Sequence, residues 1–86
     1  MPVVCRFFGI TIYLYFRDHD PPHFHAKYGE YMITVDIETG VITGRFPKTA
    51  LKLVLEWYEL NKVSILENWK IAKEGNRPLF PIKPLD

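Results

Sequence analysis

All three histidines of the chain fall in one window, His19-Asp20-Pro21-Pro22-His23-Phe24-His25. On a strand, with a rise of ~3.3 Å per residue, His23 and His25 point to the same face about 6.5–7 Å apart, and Lys27 continues their row. An H-x-H pair ligates one metal ion through two imidazoles, and His19, or Asp18 or Asp20 nearby, or Asp36 from a facing strand, completes three or four ligands. Zinc or manganese is the divalent cofactor this reading implies, with His19, His23 and His25 as its histidine ligands. Acid–base chemistry is the other reading. A histidine opposite a carboxylate has its tautomer set, and a second histidine supplies the complementary proton transfer. The catalytic candidates are then His19, His23, His25 and Asp36, with Arg6, Arg17, Lys27 or Arg45 as the cation of a ribonuclease-type site. No nucleophile motif or glycine-rich phosphate loop accompanies them. The plainer alternative is a strand whose Phe24 and Ala26 face a core while its histidines face solvent, or a His19 that pins the proline elbow by a hydrogen bond.

The elements that must position these residues change character near residue 47. In the first half, β-branched and aromatic residues alternate between glycines. A two-residue turn at Phe8-Gly9 sets Phe7 opposite Ile10, Cys5 opposite Ile12 and Val3 opposite Leu14, all apolar. The other parity pairs Arg6 with Thr11 and Val4 with Tyr13. The segment Arg17-Asp18-His19-Asp20-Pro21-Pro22 is a rigid elbow, since consecutive prolines fix φ and remove two donors. Gly29-Glu30 suits a type II′ turn; it sets Phe24 opposite Val35, His25 opposite Thr34 and His23 opposite Asp36. Thr39-Gly40 offers a third turn, pairing Ile37 with Ile42 and Asp36 with Thr43. After Pro47, Leu51, Val54, Leu55 and Tyr58 recur with helical spacing. A break at Asn61 or Ser64, with Ser64-x-x-Glu67 as a capping box, starts a second helix that ends at Gly75. Three prolines between Arg77 and Leu85 make the end extended. Trp57, Trp69 and Cys5 read as core residues.

The expectation is a single α+β domain over 1–86: a four- to five-stranded antiparallel meander over 1–46, a helix pair over 47–75 and an extended Pro-rich tail over 76–86. Arg6, Tyr13, Tyr15, Arg17, Lys27 and Arg45 are the binding candidates. Most of them share the polar sheet face with the histidines, a mixture that suits RNA, DNA or a protein partner. Eleven Lys and Arg against ten Asp and Glu leave a net charge of +1, so no global field drives nucleic-acid binding and any such role needs a local patch. One cysteine excludes an internal disulfide. With no signal-peptide pattern at the N-terminus and no membrane-length apolar run, the expected location is cytoplasmic. At 86 residues, two layers leave no room for a deep cleft, so a partner or a second copy would supply the other wall of a site.

The run Tyr15-Phe16-Arg17-Asp18-His19-Asp20-Pro21-Pro22-His23-Phe24-His25-Ala26 with Gly29-Glu30, followed by Leu66-Glu67-Asn68-Trp69, Pro78-Leu79 and Ile82-Lys83-Pro84-Leu85, resembles the bacterial family called domain of unknown function 4160. The motif positions carried over are His19, Pro21, Pro22, His23, His25, Gly29, Asn68 and Trp69. The resemblance implies a small bacterial protein encoded beside a second short protein, in pairs suspected of being type II toxin–antitoxin modules. The function it implies is the binding component of such a pair. The alternative is a ribonuclease-type toxin or a metal-binding protein built on the histidine cluster.

Overall fold

A computed structural model describes residues 2–86. Five strands, β1 (Val3–Phe7), β2 (Ile10–Tyr13), β3 (His23–Tyr28), β4 (Tyr31–Asp36) and β5 (Ile42–Arg45), form one antiparallel sheet in the order β1-β2-β3-β4-β5. One helix, α1 (Lys48–Glu74), covers a face of it, so the domain is α+β. The covered face carries Cys5, Phe7, Ile10, Ile12, Phe24, Ala26, Ile33 and Val35, packed with Val54, Trp57, Tyr58, Ile65 and Trp69. Trp57 is wholly buried, worth roughly 4–6 kcal/mol for the ~200 Å² of ring removed from water.

The turns show how the strands get their register. Phe8 (φ 48°) and Gly9 (φ 81°) are both left-handed, a type I′ turn, whereas at Gly29-Glu30 only Gly29 (φ 59°) is, as type II′ requires. The β3–β4 pairs are those expected, including His23 with Asp36 and His25 with Thr34. Two registers differ. Val3 pairs with Tyr13 while Cys5 pairs with Ile12, so Val4 is a bulge, and the expected Val3–Leu14 and Val4–Tyr13 pairs do not form. Val35 pairs with Ile42 and Thr34 with Thr43, two residues away from the expected register. The cause is Asp36, whose Oδ1 accepts the N–H groups of Glu38 and Thr39 at 2.9 Å each and so shapes the loop closed by the Asp36 N–H to Val41 carbonyl bond. A shift of two preserves the faces, which is why the core prediction survives it.

The helix pair expected over 47–75 runs as one helix, α1, kinked at Asn61, one of the two expected break points. Ser64 lies inside it rather than at a start, and the only break is a kink at Asn61 (φ −125°, ψ 18°), whose side-chain amide donates to the Trp57 carbonyl at 2.9 Å. Gly75 (φ 72°) closes the helix, its N–H reaching the Ile71 carbonyl. Residues 76–86 form neither helix nor strand, and four hydrogen bonds tie them down. The Ile82 N–H reaches the carbonyl of the bulged Val4 at 2.9 Å, the Trp57 indole N–H reaches the Lys83 carbonyl at 2.9 Å, and the buried Asn68 amide clasps Phe80 through both its carbonyl (2.8 Å) and its N–H (3.0 Å). The edge of β1 is thereby covered by the chain itself. Among the described residues no helix is long and apolar enough to cross a membrane.

Candidate metal centre

The elbow between β2 and β3 turns back under the end of the helix. The Arg17 N–H donates to the Ala72 carbonyl at 2.8 Å, one of the carbonyls a helix C-terminus leaves unpaired, and Lys73 Nζ donates to the Asp18 carbonyl at 3.0 Å. These two bonds hold Asp18 over the first residues of β3. Its Oδ2 lies 2.9 Å from His23 Nε2 and 3.5 Å from His25 Nε2, and the three ligand atoms all fall within 4.8 Å of one another. Asp18, His23 and His25 have side chains only 15%, 11% and 14% exposed.

The hydrogen bonds around the ligand atoms favour a cation among them. His23 Nδ1 lies 2.8 Å from the Pro21 carbonyl, which can only accept, so Nδ1 carries the proton. The lone pair on Nε2 then faces the Asp18 carboxylate, and two electron pairs at that distance repel unless a proton or a metal ion lies between them. A ring held by Nδ1–H to a backbone carbonyl, with Nε2 free, is also the usual outer-shell arrangement of a metal-ligating histidine. Trp69 packs against the His23 ring with centroids 5.1 Å apart, and Tyr13 stacks on His25 at 5.0 Å. Burial pushes His25 below the ordinary histidine value and outweighs the upward pull of its hydrogen bond to Asp18, favouring the neutral, ligating form. For Asp18, burial pulls the other way. The His19 N–H, the charge of His23 and the bonds from both histidines overcome it and hold the carboxyl below its usual value.

The other predicted residues are placed as follows. His19 is 82% exposed at the rim, its Nε2 3.7 Å from Asp18 Oδ1 and its ring 5.3 Å from that of His23. Asp20 turns to Lys73, 3.3 Å away. Asp36 lines the same open hollow of about 390 Å³, but its Oδ1 is engaged by its own loop. Tyr13, expected on the open contact face, is buried beneath Tyr15 and His25. Tyr15 is 42% exposed and lines the hollow. Arg17 lies against Gly75, where an added Cβ would come within 2.6 Å of its Nε. Arg6, Lys27 and Arg45 are exposed, further along the sheet, and no Lys or Arg lines the hollow among the described residues. In the sequence Asp18 is one of several possible third ligands. Trp69 carries only the pattern of a core residue and Lys73 carries none that marks it, since neither contact has a signal in local spacing.

Neither the curated proteins nor the solved structures compared with this chain match it. The family model described as Domain of unknown function (DUF4160) matches residues 9–70, a stretch that includes the elbow, the three histidines, Asn68 and Trp69. The chain belongs to that family.

Proposed function

We propose that this protein binds a divalent transition metal of the zinc type through Asp18, His23 and His25. The observation that carries the reading is the convergence of two imidazole Nε2 atoms on one carboxylate oxygen, with His23 already donating its other nitrogen to the Pro21 carbonyl. Tetrahedral zinc with bonds of 2.0–2.1 Å needs donor atoms about 3.4 Å apart; Asp18 Oδ2 lies 2.9 and 3.5 Å from the two imidazole nitrogens, and all three atoms lie within 4.8 Å of one another, so small side-chain rotations bring them onto one ion. Two histidines and one carboxylate leave a coordination position free, as catalytic rather than structural zinc sites do. When bound, the ion supplies a Lewis acid and an activated water at a hollow that, among the described residues, no Lys or Arg lines. His19, at the rim, is placed to exchange protons with what binds there. The partner-binding role in a two-protein module draws its support from family resemblance, whereas the metal reading draws its support from geometry.

The test is elemental analysis of protein made without a histidine tag, then titration of the stripped protein with zinc, manganese and iron(II). One equivalent of zinc, bound by the wild type and lost in both Asp18→Asn and His25→Ala, is expected. Retention of zinc by both variants would refute the ligand set.

A further inference from the structure

The registers align one residue from every strand in a single row on the open face of the sheet: Arg6 beside Thr11, Thr11 beside Lys27, Lys27 beside Met32, Met32 beside Arg45. Three of the five are cations. At a strand spacing of about 4.8 Å they stand roughly 10 Å apart across the sheet. All three are exposed, and among the described residues none forms an ion pair, although Lys73 and Arg77 both do. The row carries no carboxylate. Three cations with no acid among them therefore line up across one face of a chain whose net charge is only +1.

Phe8 is a second, independent feature at the same end of the sheet. It sits two residues from Arg6 at the tip of the β1–β2 turn, with 60% of its surface exposed. Its φ of 48° is one that asparagine or glycine adopts more cheaply, so an exposed aromatic is kept where both solvation and backbone preference oppose it. A flat surface with spaced cations and a protruding aromatic ring is the arrangement by which sheets hold unpaired nucleotides. The cations meet the phosphates, and a ring stacks on a base whose face is free.

We propose that the Arg6–Lys27–Arg45 row, with Phe8 beside it, binds single-stranded nucleic acid through its phosphate backbone. This goes beyond the metal reading and does not depend on it. The test is fluorescence anisotropy with labelled oligouridylate and oligothymidylate, in EDTA so that the metal centre plays no part, over a series of salt concentrations. Three phosphate contacts give a slope of log K against log salt of about −2, at roughly −0.7 per contact for single strands. Arg6→Ala, Lys27→Ala and Arg45→Ala each flatten the slope to about −1.4. Phe8→Ala lowers affinity about fivefold or more with the slope unchanged, because stacking releases no counterions. Lys52→Ala, exposed on the helix, changes neither. All five positions are exposed, and an unchanged circular dichroism spectrum confirms the fold of each variant. Absence of salt-dependent binding, a slope indifferent to the three cation variants, equal affinity for a blunt duplex, or equal competition by polyglutamate would each overturn the proposal.

Discussion

Zinc should raise the melting temperature of the stripped protein, and His25→Ala should remove that rise. Asp18 Oδ2 lies 2.9 Å from His23 Nε2 and 3.5 Å from His25 Nε2, and all three donors lie within 4.8 Å of one another, so side-chain rotation without backbone rearrangement closes them around a tetrahedral ion. The elbow is held by the Arg17–Ala72 and Lys73–Asp18 bonds, so most of the ordering cost falls on folding rather than on binding. The folded chain therefore binds zinc far better than the unfolded one. At a free zinc concentration 100 times Kd the linkage is worth about 2.7 kcal/mol. For a domain of this size, at about 4–8 °C per kcal/mol, that is a rise of roughly 10–20 °C. The assay is differential scanning calorimetry of stripped protein with and without zinc, each variant compared with its own metal-free form. That comparison matters because His25→Ala also loses the stacking on Tyr13 and melts lower from the start. With one of three donors gone, the zinc-dependent rise should fall to a few degrees. No rise in the wild type, or an equal rise in His25→Ala, would refute the argument that these atoms form the site.

Three further outcomes are expected. The Asp18 carboxyl is lowered in the folded state from its ordinary 3.8, so its contribution is fully present above that pH and is lost as pH falls through the lower folded value; urea denaturation in EDTA from about pH 7 to about pH 3 should show the stability gap between wild type and Asp18→Asn constant at first and shrinking below about pH 4. Asn68→Ala strands the carbonyl and N–H of Phe80 and should cost about 1–3 kcal/mol in urea denaturation; a loss under about 0.5 kcal/mol would mean that water replaces both bonds. Phe8→Asn puts a residue suited to left-handed φ into a type I′ turn, so it should stabilise the protein by about 0.5–1 kcal/mol while weakening oligonucleotide binding, and an unchanged or lower denaturation midpoint would contradict the turn assignment.

Local sequence was enough for much of this protein. The alternation of apolar residues between glycine turns determined which side chains face the core, because strand periodicity and turn chemistry act over a few residues. Strand alternation puts His23 and His25 on one face, and the β3–β4 register that sets them opposite Asp36 and Thr34 follows from the Gly29-Glu30 turn. Even the two registers read wrongly kept Cys5, Phe7, Val35 and Ile42 on the expected side. Tertiary structure decided the rest. Asp18, Asp20 and Asp36 were equivalent acids in the chain; contacts with the helix end, 55 residues away from Asp18 in the case of Lys73, aim Asp18 at the histidines, while local bonds turn Asp36 into its own loop. The Val4 bulge is tied to the tail through Ile82, and the burial of Tyr13 depends on which rings close over it. In each case a polar or aromatic group is placed by a partner distant in sequence, so hydrophobic periodicity, which reports only inside from outside, carries no record of it.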